Sequence, residues 1–409
     1  MQSPARSGAS ARWMMLGIVV FAQAVSSLTV NGTAFLLPEL DRQWGLGLMS
    51  AGFLVSMPLA GTLCTLVLWG AVIDRIGERA SLTLGLAAAA LALGAAALSG
   101  GPVAAGLWLF LSGVAVACTN AAGGRIVVGW FPVQQRGLAM GIRQMAQPLG
   151  VGWGALMLPT AGAATLSTAW WVVALLSLLA AGLCWFWLRN PERRARRTDP
   201  ATENPYRGSS FLLRIHLISA LLVVPQFTLW TFSLIWLLTG LHLDAPAAGA
   251  VIVVAQLTGA LGRIGAGVWS DRWGSRVAPL RWVSVSTTVA LLLLSLSALL
   301  AQSGPAPAPL TVPLAVVALV LASALTVADN GLAFTVVAEA AGPYWSARAL
   351  GIQNTGQYLV SAIVPPLVGG LLGVLSFPAT FALIGIIPAV ATPLVPSRDE
   401  ERRAVVAAH

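Results

Sequence analysis

The chain has 409 residues, of which 57% are hydrophobic and only 9% are charged. Soluble domains carry about 25% charged residues, so this composition excludes a water-soluble fold. The formal net charge of +9 comes from arginines placed in short segments between apolar runs. That placement argues against nucleic-acid binding, which needs basic residues gathered on one soluble face.

The apolar runs predict twelve membrane-spanning helices, because each run is long enough to cross about 30 Å of hydrocarbon. The first run, 13–37, is too long for the apolar core of a signal peptide and is interpreted as a span. The predicted spans are 13–37, 48–72, 81–100, 103–130, 137–160 and 168–188 in the first half, and 211–240, 247–270, 278–301, 311–338, 347–373 and 377–396 in the second.

Arginine placement predicts the orientation of the chain. All 23 basic residues are arginine. With the N-terminus inside, only Arg42 is external, and Arg125, Arg143 and Arg263 lie within spans. The remaining arginines then fall on the cytoplasmic side, so the positive-inside rule predicts that both termini are cytoplasmic.

Two short segments carry the same motif. Residues 70–79 and 267–276 both match the pattern G-x-x-x-D-R-x-G-x-R, and each lies between two apolar runs. The repeat half a chain later indicates internal duplication. A second echo joins Asn120 and the pair Arg143 and Gln147 to Asn330 and the pair Gln353 and Gln357.

These motifs resemble those of the major facilitator superfamily of transporters, which carries the pattern between spans 2 and 3 and often repeats it between spans 8 and 9. The resemblance covers the whole chain. It implies an all-α integral membrane fold with twelve transmembrane helices in two pseudo-symmetric six-helix bundles, in a bacterial inner membrane. Residues 1–188 would form the N-terminal bundle, the proline-broken, arginine-rich 189–210 a cytoplasmic linker, and 211–409 the C-terminal bundle.

The resemblance also implies a mechanism. Such transporters work by alternating access, as two bundles rock about a site near the membrane midplane. In that family the duplicated motif holds the halves together on the cytoplasmic face and releases them when that face opens. A simple topogenic turn would account for the arginines but not for their spacing. The predicted gating residues are Gly70, Asp74, Arg75, Gly77 and Arg79, with Gly267, Asp271, Arg272, Gly274 and Arg276.

Charges inside the membrane are the most informative residues. Each costs at least about 2.5 kcal/mol to insert, so such charges tend to face a bundle interior and mark a pathway. Arg263 lies eight residues before Asp271, and Arg143 lies seven residues beyond Arg136, so they lie about 12 and 10 Å inward from these loop residues at 1.5 Å per residue. Asp329 lies near the middle of span 10 and is the natural partner of Arg263 if that arginine is purely structural. Arg125 could instead snorkel to the interface.

Polar stripes accompany these charges at helical spacing in spans 1, 5, 7 and 11, which line the cavity in the family resembled. Stripes of this kind face either a water-filled cavity or other helices through hydrogen bonds, and both interpretations stay open. The predicted substrate-binding residues are Arg263, Arg143, Gln147, Gln353, Gln357, Asn31, Gln23, Trp230 and Tyr358, and the predicted coupling residue is Asp329.

Three functions compete. Span 8, with Arg263, looks like that of monocarboxylate and oxalate–formate porters, and guanidinium binds carboxylate bidentately, so the first is transport of a small organic anion with protons as a candidate coupling ion. The second is efflux of hydrophobic drugs or metabolites, suggested by Trp153, Trp230 and Trp236. The third is a non-transporting membrane receptor or scaffold.

The chemistry of an enzyme is not predicted. His216 and His242 lie at membrane edges and form no metal-ligand cluster, and no nucleophile–base arrangement stands out. The sequence therefore predicts no cofactor and no metal, and a monomer whose partners are the bilayer and a small substrate.

Overall fold

The computed structural model describes residues 7–131, 139, 142–190, 204–207, 209–302 and 310–408. In these ranges the chain is built from α-helices with two short 3₁₀ segments, and the described residues contain no strand. Eleven described segments are long and apolar enough to cross a membrane. The prediction of an all-α membrane fold is confirmed.

The helices of the first half follow the predicted spans closely. The first predicted span continues through the 3₁₀ segment Gly32–Leu36 into a further helix, and the fourth is divided at Ala117. The fifth begins in a stretch outside the described residues, and α7 covers the rest of it. The helices are α1 (Ser7–Asn31), α2 (Leu37–Trp44), α3 (Leu48–Ile76), α4 (Glu78–Ala97), α5 (Pro102–Val116), α6 (Cys118–Trp130), α7 (Ala146–Ala164) and α8 (Leu166–Trp187).

In the second half the tenth and eleventh predicted spans are two helices that meet at a kink, and both are labelled α12. At the kink Gly342 has φ 68° and ψ 174°, a conformation that glycine adopts readily, so α12 consists of one segment before Gly342 and one after it. The helices are α9 (Phe211–Thr239), α10 (Ala245–Trp273), α11 (Val277–Gln302), α12 (Thr311–Leu372), α13 (Phe377–Ala391) and α14 (Arg398–Ala408).

Local sequence signals set several helix starts. Asp244 accepts a hydrogen bond from the N–H of Ala247 at 2.8 Å, and Thr165 accepts one from Thr168 at 3.0 Å. These side chains satisfy N–H groups that the first turn of a helix leaves without an intrahelical partner. Proline at the first or second position of α5, α10 and α13 fits the same place, because its missing N–H is not needed there.

The helices group into two compact units, Met1–Leu46 with Phe53–Ala195, and Gly47–Gly52 with Arg196–His409. In the first unit α4 packs on α5 and α8, and α1 packs on α7 and α8. In the second unit α12 packs on α9, α10 and α11. The predicted boundaries at 188 and 211 stay a prediction, because most of the linker lies outside the described residues.

Glycine lets helices of the first unit approach backbone to backbone. A Cβ built on Gly113 would lie 2.0 Å from the carbonyl oxygen of Pro58, and one on Gly150 would lie 2.2 Å from that of Ala24. Both distances are far below van der Waals contact. Close packing of small residues is a main source of helix association in lipid, where no hydrophobic force acts between helices.

We predict that Gly113→Ala destabilises the protein by about 1–3 kcal/mol, because the added methyl forces α3 and α5 apart. Gly182→Ala, on α8, is the matched control, since no heavy atom lies within 4 Å of its built Cβ. That control should be neutral or stabilising by up to about 1 kcal/mol. Thermal unfolding of the purified protein in detergent measures both, and equal melting temperatures for the two variants would contradict the packing argument.

Candidate functional site

The first unit contains a polar cluster around Asn120 on α6. The Nε2 of Gln23 donates to Asn120 Oδ1 at 3.4 Å, and Nη2 of Arg143 donates to the Asn120 carbonyl at 3.3 Å. Arg143 also reaches Oε1 of Gln144 at 3.3 Å. A Cβ on Gly123 would lie 2.3 Å from Arg143 Nε, so glycine is required for this arginine to lie against α6.

A second set of contacts fastens α1 to α7. Ser27 Oγ donates to the carbonyl of Gln147 at 2.9 Å, and Asn31 Nδ2 donates to the carbonyl of Ser27 at 3.0 Å. The α1 stripe is buried. Interhelical and local hydrogen bonds thus account for much of it, which supports the more ordinary of the two interpretations for Ser27 and Asn31.

The second unit contains a matching cluster around Asn330 on α12. Asn330 Nδ2 donates to Gln226 Oε1 at 3.0 Å, and Gln357 Nε2 donates to Asn330 Oδ1 at 2.8 Å. Gln357 Nε2 also lies 2.7 Å from Ser219 Oγ. The amides of α9 and of both segments of α12 are therefore joined in one network.

A branch of polar contacts lies nearer the start of α9. Nδ1 of His216 lies 2.5 Å from Oε1 of Gln353, and its Nε2 lies 2.9 Å from the hydroxyl of Tyr206. The rings of Tyr206 and His216 stack with centroids 6.0 Å apart. The predicted site residue Gln353 is thus bonded to His216, which is bonded in turn to Tyr206.

The two units repeat one interaction and differ in another. In each unit a glutamine on the first span bonds to an asparagine on the fourth span. The two pairs are Gln23–Asn120 and Gln226–Asn330. The position that carries Arg143 in one unit carries neutral Gln353 in the other. The duplication therefore preserves the amide scaffold, and the charge differs between the halves.

Arg263 and Asp329 form the other charged feature of the second unit. Arg263 Nε donates to the carbonyl of Val327 at 3.2 Å, and its charge interacts with that of Asp329. Asp329 is only 1% exposed, yet neither carboxylate oxygen has a hydrogen-bond partner among the described residues. The two residues are neighbours, as predicted, but their ion pair is not closed within 4.0 Å in this part of the chain.

Two further predicted substrate-binding residues have other surroundings. Trp230 is buried and its ring packs on that of Phe227 with centroids 5.3 Å apart. Tyr358 is half-buried on α12, and its carbonyl accepts a hydrogen bond from Ser361 Oγ at 2.8 Å. For Trp230, burial in the core of its unit is a sufficient explanation.

The first motif loop ends α3 and begins α4. Gly77 has φ +85°, which ends the helix. Arg79 donates through Nη2 to the carbonyl of Trp185 at 2.5 Å and its guanidinium lies 5.2 Å from that ring centroid. Arg75 is exposed, and the side chain of Asp74 lies outside what the structure describes.

The second motif loop also contains a glycine with positive φ, but its side chains have different partners. Gly274 has φ +63°. Arg276 pairs with Asp271 and, at 3.0 Å, with Glu339 on α12. Burial lowers the pKa of the Arg276 guanidinium, but hydrogen bonds and charge from Glu339 and Asp271 outweigh burial and raise that pKa above its ordinary value. Arg272 is exposed.

No heavy atom of the described chain lies within 4 Å of a Cβ built on Gly70 or Gly267. The glycines with a demonstrable conformational role are Gly77 and Gly274, whose positive φ favours glycine.

Sequence reasoning missed His216, Ser219, Glu339 and Glu401. His216 and Ser219 lie three residues apart and share a face of α9, a signal that could have added them to the stripe of Gln226. Glu339 and Glu401 could not be found in this way, because their partners are distant in sequence. In the described part of the chain, no group of three or more His, Cys, Asp or Glu side chains is placed to hold a metal ion.

Comparison with known proteins places the chain in a family. The model of the Major Facilitator Superfamily matches residues 19–365. The chain belongs to the major facilitator superfamily. It is 42% identical over 394 residues to an uncharacterized MFS-type transporter of Mycobacterium tuberculosis (strain ATCC 25618 / H37Rv), covering 96% of this chain and 86% of the relative.

Solved structures of this superfamily share the fold. A D-xylose–proton symporter matches with a TM-score of 0.74 at 12% identity, over 94% of this chain and 97% of the symporter. A bacterial homolog of the human lysosomal transporter Spinster matches with a TM-score of 0.68 at 13% identity, over 99% and 95%. At such low sequence identities the similarity to these structures concerns the fold alone. Family membership makes the chain a multi-pass membrane transporter.

We predict that Asn330→Ala destabilises the protein by about 1–2 kcal/mol, because it removes two hydrogen bonds worth on average about 0.6 kcal/mol each in membrane helices. Asn354→Ala is the matched control, since Asn354 bonds only within its own helix, to the Leu350 carbonyl at 3.0 Å. Thermal unfolding in detergent compares the two. An equal loss in both variants would show that the network around Asn330 adds nothing.

Proposed function

We propose that this transporter carries a small organic anion, of carboxylate type, by alternating access. The observation that supports this most directly is the hydrogen bonding of the Arg263 guanidinium. Its Nε is fixed to the Val327 carbonyl, while its two terminal nitrogens have no hydrogen-bond partner among the described residues. A carboxylate needs two parallel N–H donors of this kind.

The fixed Nε matters because it sets the plane of the guanidinium. Arginine and lysine side chains both lose rotamer freedom on binding. The planar guanidinium of arginine, when it is already oriented, loses less of that freedom for each hydrogen bond formed. A small anion that met Arg263 would therefore find the group oriented for it. Lysine in the same place would offer a point charge without the fork.

Arg143 is the second proposed contact for the anion, in the first unit. Its Nη atoms already bond to Asn120 and Gln144, so a substrate would have to compete with these partners. The neighbouring Gln23 and Gln147 extend the proposed site in that unit, as Gln353, Gln357 and Tyr358 do in the second. Asn31 and Trp230 are proposed only as supporting residues, since each is already engaged.

We further propose that Asp329 carries a coupling proton, which would make the transporter a symporter. A carboxyl group that is 1% exposed and has no described hydrogen-bond partner has a strong reason to bind a proton. The neighbouring Arg263 charge opposes protonation. Occupation of Arg263 by an anion would weaken that opposition, so anion and proton would favour each other.

Efflux of hydrophobic compounds is the weaker alternative. Two of the aromatic side chains that suggested it take part in packing: Trp236 is fully buried against Phe381, with ring centroids 5.3 Å apart, and Trp230 packs on Phe227. Trp153 also has a ring partner, Phe21, at 6.1 Å. No observation specifically favours this function.

The membrane orientation of the chain and the gating role of the motif loops are also proposals. The arginine bias places both termini in the cytoplasm, and the bacterial relative supports a bacterial inner membrane. The two motif loops then lie on the cytoplasmic side, where we propose that they take part in opening and closing. The transporter is proposed to act as a monomer.

We predict that Arg263→Lys weakens binding of the transported anion about 10–100-fold, because a charge-assisted hydrogen bond is worth about 1.5–3 kcal/mol. The ligand is first found by a thermal-shift screen of the purified protein against mono- and dicarboxylates, since a ligand of the folded state raises the melting temperature. Counterflow in proteoliposomes then measures transport.

Arg403→Lys is the matched control for this variant, because Arg403 is an exposed arginine of α14 that lies outside both motif loops and the proposed site. It should bind and transport as the wild type does. If the Arg263→Lys protein melts normally and takes up the anion unimpaired, Arg263 does not bind the substrate.

We predict that Asp329→Asn abolishes the acceleration of anion uptake by an inward proton gradient, because asparagine is close in size and cannot bind the proton. Exchange of anion for anion without a gradient should persist, since it needs no net proton movement. Uptake at several external pH values measures the effect. A pH dependence unchanged from the wild type would exclude Asp329 as the coupling group.

A further inference from the structure

The two motif loops share a capping arrangement. The last arginine of each motif, Arg79 or Arg276, lies at the start of the helix that follows, where backbone N–H groups lack intrahelical acceptors. The N–H of Arg79 donates to Asn190 Oδ1 at 2.8 Å, and that of Arg276 donates to Glu401 Oε1 at 2.6 Å. In each unit the acceptor comes from the chain that follows the last span of that unit.

Glu401 accepts a further hydrogen bond in addition to the one from the N–H of Arg276. Its second carboxylate oxygen, Oε2, accepts a hydrogen bond from Ser275 Oγ at 2.6 Å, and the residue is only 7% exposed. Ser275 Oγ in turn lies 3.2 Å from the N–H of Ala278, in the first turn of α11. A buried carboxylate is costly unless its oxygens are bonded, and here both are. The start of α11 also offers a favourable dipole.

The rest of the C-terminal segment is fastened to the same unit. Glu400 Oε1 accepts from Arg214 Nη1 on α9 at 2.8 Å, and the carbonyl of Val395 accepts from Arg281 Nη2 on α11 at 2.8 Å. A hydrogen bond from the backbone N–H of Ser397 is the main reason that the pKa of Glu400 lies below its ordinary value. Helix α14 is thus held to its unit at several points besides Glu401.

Fixing the backbone of Arg276 also fixes where its side chain can reach. The guanidinium bridges Asp271, near the end of α10, and Glu339 on α12, and it bonds Ser270 Oγ at 2.7 Å. The backbone N–H of Arg79 is also held, by Asn190, but the Arg79 side chain lies on Trp185. The charged bridge described in the second unit is therefore specific to Arg276, the arginine whose N–H is held by a carboxylate.

We propose that helix α14 is a clasp on the second motif loop, and that Glu401 is a positioning residue that holds Arg276 in place to bridge Asp271 and Glu339. The clasp ties the end of α10, the start of α11 and the end of the first segment of α12, which carries Glu339, to the C-terminal helix. These ends would then move as one body during the transport cycle. The inference concerns one unit and is independent of what the transporter carries.

Hydrogen–deuterium exchange of the full-length protein in detergent tests the clasp without any ligand. Glu401→Ala removes the acceptor of the Arg276 N–H, and peptides covering 275–280 should exchange about tenfold faster or more. Peptides covering 78–83, held by Asn190, should keep their wild-type rate. Asn190→Ala should instead speed up exchange in peptides covering 78–83 and leave peptides covering 275–280 at their wild-type rate.

Two matched variants distinguish loss of the Glu401 hydrogen bond from a general loss of negative charge or of the folded state. Asp399→Ala removes an exposed negative charge from the same helix and should leave exchange at 275–280 unchanged. Glu401→Gln keeps an acceptor for the Arg276 N–H and should restore most of the protection. Thermal unfolding identifies any variant that has lost its fold, and the Gln variant keeps the test available in that case.

Limited trypsin digestion reports on the arginine itself. A guanidinium engaged with two carboxylates is a poor trypsin target, so cleavage after Arg276 should rise several-fold in Glu401→Ala and stay low in Glu401→Gln. Cleavage after Arg79 serves as the internal standard and should not change. Wild-type exchange and cleavage at the second loop in Glu401→Ala, or equal loosening of both loops, would overturn the clasp.

Discussion

Hydrocarbon offers no hydrogen-bond partner, and this constraint governs the arrangement of polar side chains in the structure. Ser27 bonds to the Gln147 carbonyl, and Gln357 bonds to both Ser219 and Asn330. Each of these bonds also joins two helices, so satisfaction of polar groups and assembly of the unit are the same event. Against this background a buried carboxylate without a hydrogen-bond partner among the described residues is informative, and Asp329 is such a group.

Duplication provided two copies of one scaffold, and the copies then diverged in charge. The Gln–Asn bond between the first and fourth spans recurs, and Gly77 and Gly274 both have positive φ. These features concern backbone geometry and neutral hydrogen bonds, which both halves need in order to fold. The charged groups within the spans do not recur: Arg143 corresponds to neutral Gln353, and Arg263 with Asp329 belong to the second half. Charge is therefore where we expect this transporter to differ from others of its fold.

Much of the fold could be predicted because a span is a local property of the sequence. Apolar length sets the helices, and the depth of Arg263 and Asp329 followed from counting residues. The division of the fourth span at Ala117 could not, since it depends on how neighbouring helices pack. The polar stripes follow from residue spacing, but the pattern could not tell a cavity from a neighbouring helix. Glu401 was missed because its contact with Arg276 depends on the path of the chain after the last span.

A binding group in a transporter has to be held firmly in position yet remain available. The amides around Asn330 are bonded to one another, which favours a structural role over a direct role in cargo binding. Arg263 meets both requirements: one nitrogen fixes the side chain to the Val327 carbonyl, and the others have no described partner. Arg276 is the opposite case, with bonds to Ser270, Asp271 and Glu339 and its backbone held by Glu401. An arginine so fully engaged is suited to holding helices together, so the number of unused donors separates the proposed cargo residue from the proposed structural one.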